Sequence, residues 1–132
     1  MIVLDEQLLG RELEKLIGAW YRGSVCFITD LRPDTIIKDD AIPMLLRQQS
    51  QPTFVTINER DFWRKVEIDN NFCIICFAFP DRRAREIASS LRTVLQHSEF
   101  DTKVKRMGRV LRVTDNSISY YSVENREILE IV

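Results

Sequence analysis

The chain has little glycine, little histidine and no long apolar run, and each shortage closes off a class of function. Four glycines in 132 residues leave no Gly-rich loop of the kind that cradles nucleotide phosphates. The single histidine, His97, falls where a helix is expected to end, a place that suits a structural cation. No stretch approaches the roughly 20 apolar residues a membrane helix requires. The three cysteines sit inside apolar runs. Cys73 and Cys76 form a C-x-x-C within a strand-like segment, where positions i and i+3 point to opposite faces. With no second pair, a zinc site is excluded, and no nucleophile–base pair stands out for covalent catalysis. The opening Met1-Ile2-Val3-Leu4-Asp5-Glu6 carries no basic region and no cleavage site. The expected compartment is therefore the cytoplasm, with no membrane partner.

What is present is an ordinary globular composition, 45% apolar and 30% charged, in a length typical of one domain. The net charge of -1 hides an asymmetry. Residues 1–70 hold twelve acids and nine bases, whereas residues 82–112 hold nine bases against three acids. Acidic strand ends in one half and a basic stripe in the other suit a metal-dependent enzyme acting on a polyanion. The plainer alternative is a solvated helix face.

Apolar residues alternate between strand-like and helix-like periods along the chain. Ile2 to Leu4 reads as a short strand. Leu9, Leu13, Leu16, Ile17 and Trp20 then share one helical face. Residues 24–28 read as a buried strand, residues 39–50 as a helix with Ile42, Leu45 and Leu46 inward, and residues 54–56 as a third strand. Residues 72–79, apolar on both faces, predict a central fourth strand. Asp81 is placed to cap a helix over residues 82–97. Residues 109–113 and 117–123 predict a hairpin turning at Asp115-Asn116, and residues 128–132 a last strand that extends the sheet or forms a dimer edge. The expected fold is α/β, a three-layer α/β/α arrangement with a mostly parallel central sheet and C-terminal antiparallel strands. It comprises a single domain over 1–132, with residues 1–97 as the α/β core and 98–132 as a basic loop and hairpin extension.

In such a sheet, ligands gather at the carboxyl ends of the strands. Asp5 follows the first strand and Asp61 follows the turn after the third. Adjacent first and third strands would bring them together. Asp39 or Asp40, opening a helix, adds a further acid, and Glu6 stands beside Asp5. Carboxylates at buried strand ends need a cation or solvent, which makes them candidate ligands for a hard metal such as Mg²⁺. Each acid also suits a helix N-cap. Arg82, Arg83 and Arg85, at the expected start of a helix after a parallel strand, would lie on the same rim. There they could hold phosphates, unless they pair with Glu86 and nearby acids.

These residues carry a resemblance. Ile2-Val3-Leu4-Asp5-Glu6, Asp40-Ala41-Ile42 and Thr56-Ile57-Asn58-Glu59-Arg60-Asp61-Phe62 resemble the PIN-like nucleases. The likeness is greatest to their short stand-alone bacterial forms, which open with an aspartate–acid pair after the first strand. The wider group, which includes toxins of toxin–antitoxin pairs, carries a Thr-x-Asn-x-x-Asp-Phe motif, present here as Thr56, Asn58, Asp61 and Phe62. The resemblance spans roughly residues 1–95. It implies a Mg²⁺- or Mn²⁺-dependent endoribonuclease in which Asp5, Asp40 and Asp61 are catalytic metal ligands. It also implies that Thr56 and Asn58 shape the turn or touch substrate. Implied partners are RNA, an antitoxin protein and a second copy of the chain.

Standard members carry a further acid on a helix between the first two. Residues 24–38 are too short to hold that helix, so the fourth acid is absent or supplied by Glu6, Asp39 or Asp30. The alternative is a catalytically weak or silent module that binds RNA or protein. A phospho-receiver-like reading ranks last. Asp30 would be its phosphorylated aspartate, but no lysine follows Phe79-Pro80-Asp81.

Overall fold

The computed structural model describes residues 1–132. Seven strands form one sheet in the order β2-β1-β3-β4-β5-β6-β7. β1 (Ile2–Leu4) is flanked by β2 (Val25–Phe27) and β3 (Thr53–Thr56), both parallel to it. β4 (Cys73–Phe77) and β5 (Arg109–Val113) continue the parallel run. β6 (Ile118–Ser122) and β7 (Leu129–Ile131) add antiparallel strands. The architecture is the expected three-layer α/β/α with C-terminal antiparallel strands. The predicted hairpin is present, and β5 joins the parallel run by pairing with β4. No helix is long and apolar enough to cross a membrane.

The two faces of the sheet are covered by different helices because alternate strand residues point to opposite sides. Ile2, Leu4, Val55, Ile75, Phe77 and Leu111 meet α1 (Leu13–Gly18) and α5 (Ile87–Gln96) on one face. Val3, Phe54, Ile74, Cys76 and Val110 meet α3 (Ile42–Arg47), together with Phe62 and Ile68, on the other. α2 (Ile28–Leu31) is a single turn after β2. Two further single turns are α4 (Glu59–Phe62) and α6 (Lys103–Arg106). Every residue of β4 is buried, as its unbroken apolar run predicts. Cys73 and Cys76 are free and belong to this core. Burial pushes the Cys73 thiol up to about 12, so neither a metal nor an oxidant is drawn to it.

Three local expectations are corrected. The first helix is shorter than its periodicity suggests: Gly10 (φ 79°) and Glu12 (φ 59°) take left-handed backbone, so a 3₁₀ turn over Glu6–Leu8 precedes α1. Leu9, assigned to the buried face, is 50% exposed, and Leu8 is buried in its place. The segment Asp81–Glu86 is 3₁₀ rather than α, and Asp81 makes no capping bond. Its carboxylate instead accepts a hydrogen bond from Arg11 at 2.7 Å.

Candidate functional site

The order β2-β1-β3 means that the chain leaves β1 for one side of the sheet and returns to its other side. The covering helices change face at this point, so the carboxyl ends of β1 and β3 form the topological switch point where ligands bind in such sheets. Asp5 and Thr56 stand at those two ends. Thr56 is fully buried and Asp5 is 3% exposed. Thr56 Oγ1 donates to Asp5 Oδ2 at 2.6 Å and accepts from the Asn58 N–H at 2.9 Å. Asn58 in turn caps α4: its Oδ1 accepts from the Asp61 N–H at 3.3 Å, and its Nδ2 donates to Asp61 Oδ2 at 2.7 Å. One hydrogen-bonded chain thus links Asp5, Thr56, Asn58 and Asp61. Thr56 and Asn58 shape the turn, one of the two roles the resemblance implied for them.

Asp5 precedes the 3₁₀ turn but makes no side-chain cap bond, which removes the capping explanation for its position. Its carboxyl lies above the usual aspartate range, chiefly because burial disfavours the charge, with the Asp39 and Glu6 charges adding to it and the Thr56 bond opposing. Asp39 and Asp40 lie in a 3₁₀ turn before α3, with no cap bond from the preceding Lys38. Asp39 is also raised, first by burial and then by the neighbouring Asp61 carboxyl, with the charges of Glu6 and Asp40 adding to it. The structure therefore brings Asp5, Glu6, Asp39 and Asp61 to one rim. Asp39 is the one whose carboxyl the Asp61 charge raises. Asp40 lines one cleft with Asp39 and Asp61.

That cleft has a volume of about 520 Å³ and is lined by Asp39, Asp40 and Asp61 together with Arg47, Lys65 and Glu67. Arg47 is paired with Asp69. Lys65 is exposed, makes no ion pair, and supplies a free cation next to the acids. Sequence reasoning missed it, and its one signal is its position four residues after Asp61. In this conformation no three acidic, histidine or cysteine side chains are gathered closely enough to enclose a metal ion. The donor set is nonetheless all carboxylate oxygen and repels itself, and Asp39 and Asp61 open onto the cleft while Asp5 stands buried behind them. These properties fit a hard divalent cation that keeps several waters.

The arginines behave differently from the expectation. Arg83 is held by Glu86 at 2.8 Å and Asp115 at 2.7 Å, and stacks over the Phe79 ring at 4.7 Å. Its guanidinium is fully committed and is withdrawn as a phosphate ligand. Arg85 lies 4.0 Å from Glu12. Arg82 alone of the three is exposed without an ion pair. Pairing with nearby acids thus prevails over phosphate contact for Arg83. A second pair that sequence did not signal joins Arg112 Nε to Glu59 Oε2 at 2.6 Å across β5 and α4.

Asp30 Oδ2 accepts from the Phe27 N–H at 2.8 Å and lies after the edge strand β2, away from the middle of the sheet. It therefore does not stand at the end of a middle strand, where a phospho-receiver aspartate would. His97 Nδ1 accepts from the Glu99 N–H at 3.1 Å, and the ring packs on Phe100, a structural role. The turn itself is testable. Asn58→Ala should destabilise the protein by about 0.5–2 kcal/mol through loss of the α4 cap, read from urea unfolding at constant m-value.

The chain matches no protein-family model, no curated protein and no solved structure.

Proposed function

We propose that the chain is a PIN-like, metal-dependent endoribonuclease whose acids at the sheet crevice hold Mg²⁺ or Mn²⁺. The observation that carries this reading is the convergence of Asp5, Glu6, Asp39 and Asp61, from three separate segments, at the carboxyl edge of β1 and β3. Asp5 and Asp39 there are raised by burial and by neighbouring negative charge. Carboxylates crowded without a cation destabilise the fold, and such crowding is typical of sites kept for function. Asp5, Asp39 and Asp61 would hold the metal, with Glu6 and Asp40 beside them. The metal, when bound, supplies an activated water and charge neutralisation for phosphodiester hydrolysis.

The protein's own contribution is positioning. Thr56 orients the Asp5 carboxylate, Asn58 orients Asp61, and Lys65 with Arg82 offers cations to the RNA backbone. On this reading the protein is cytoplasmic and its partner is RNA. An antitoxin protein follows from the toxin version, and the open edge of β7 offers a place for a homodimer.

The test is RNA cleavage in Mn²⁺ or Mg²⁺ by wild type, Asp5→Asn and Asp61→Asn. Cleavage by wild type alone supports the proposal, and equal activity in all three sinks it. One observation favours the alternative, a catalytically silent RNA- or protein-binding module: no three ligand-type side chains enclose a metal position. Intact RNA together with weak Mn²⁺ binding would select that reading.

A further inference from the structure

At the opposite edge of the sheet lies a second cleft with the reverse charge. The segment 103–106, a run of cations with no part in the acidic site, folds as α6 and carries Arg106 into the interior, where it is 4% exposed. Arg106 has no carboxylate partner. Its Nε donates to Thr53 Oγ1 at 3.2 Å, at the start of β3, and its Nη1 donates to the Phe100 carbonyl at 2.8 Å. The remaining nitrogen, Nη2, has no partner in the protein and is not sealed from solvent. A guanidinium buried with only neutral acceptors is costly unless an anion completes it.

Arg106 lines a cleft of about 390 Å³ with Arg92, Lys103, Trp20, Tyr21 and Leu95, a volume in the range of small-molecule sites. The only carboxylate in its wall, Asp101, is already paired with Lys105 at 3.0 Å. Trp20, whose side chain lines the cleft, also carries the one buried side-chain polar atom without any partner, its indole N–H. A guanidinium edge left open to solvent, two further cations and an aromatic–aliphatic wall thus meet in one cleft. We propose that this cleft binds a phosphate monoester, with the phosphate on Arg106, Lys103 and Arg92 and an apolar or aromatic body against Trp20, Tyr21 and Leu95. Arginine suits the phosphate because its planar fork matches two oxygens at once. The site is separate from the acidic cleft and does not rest on the nuclease reading.

The test is a titration of the ¹⁵N-labelled protein with inorganic phosphate and with adenosine 5′-monophosphate at constant ionic strength, with chloride as the control. The Trp20 indole N–H resonance is read, assigned by its persistence in Trp63→Phe. The expected result is a saturable shift with Kd of about 1 mM or tighter, at least as tight for the nucleotide as for phosphate. Lys103→Ala and Arg92→Ala, both surface changes, should each weaken binding severalfold. Arg106→Lys should weaken it roughly tenfold or more, because a point charge replaces the fork. If Arg106→Lys does not fold, the two surface variants decide the question. A shift reproduced by chloride, binding of neither anion, binding of phosphate but not the nucleotide, or affinity unchanged in both surface variants would overturn the proposal.

Discussion

On the proposed nuclease reading, Asp5→Asn should sharply reduce RNA cleavage while making the metal-free protein more stable. The two effects have one cause. The Asp5 carboxyl sits in the interior within reach of the Asp39 and Glu6 charges, and its folded-state pKa is raised above its ordinary value of 3.8. Below 3.8 the group is protonated in both the folded and unfolded chains, and asparagine changes little. As pH rises through the raised folded value, wild type loses stability that the neutral amide retains. The variant's advantage therefore grows from acid toward neutral pH, to about 0.5–2 kcal/mol, the usual gain from relieving a strained functional position. Asparagine still accepts from Thr56 Oγ1, so the turn survives. Cleavage should fall roughly 100-fold or more, since loss of even outer partners of metal ligands typically costs 10–100-fold. Thermal unfolding across pH, with and without Mn²⁺, checks the first half. Added Mn²⁺ should raise the melting temperature of wild type more than that of the variant.

Thr56→Val should act in the opposite sense. The shape is nearly kept, but the hydroxyl that donates to Asp5 and accepts from the Asn58 N–H is lost. A buried carboxylate and a backbone N–H then each lose a partner, at a cost of about 1–3 kcal/mol or more at neutral pH. The penalty should shrink at acid pH, where the Asp5 carboxyl is protonated and no longer needs a donor. Thr56→Ser, which keeps the hydroxyl, should stay close to wild type. A double-mutant cycle with Asp5→Asn separates the pair from its surroundings. Strong coupling is expected, and additive effects would show that Thr56 acts elsewhere.

Much of the fold is legible because burial writes itself into period and composition. The unbroken apolar run around Ile74 and Ile75 marked the central strand, and the alternation from Arg109 to Val123 marked the hairpin. Local signals failed where a distant residue competed. Asp81 looks like a cap by its position before a helix, but Arg11, seventy residues earlier, takes its carboxylate. Arg83 looks free until the β5–β6 turn delivers Asp115 to it. Leu9 fits a helical face, but left-handed backbone at Gly10 and Glu12 resets the phase, and no periodicity reports that.

The candidate site shows the same division. Asp5 and Asp61 were legible because each follows a strand or its turn, and an adjacent β1 and β3 was the simplest sheet. The choice between Asp39 and Asp40 was not legible. Neighbouring residues in a 3₁₀ turn point in different directions, and only the packing of that turn decides which carboxyl feels the Asp61 charge most. The Thr56–Asp5 bond joins residues 51 positions apart and depends on the strand order. Arg106 belonged to a segment read as a basic run, and only the structure shows it buried.

Mn²⁺ binding to the metal-free protein, followed by calorimetry or by the spin resonance of the free ion, tests the central claim most directly. The acid cluster at the β1–β3 crevice predicts one site, with affinity falling at least tenfold in Asp39→Asn and in Asp61→Asn and holding in the distant Asp101→Asn. Binding that is absent in wild type, or equally strong in all four proteins, would contradict it.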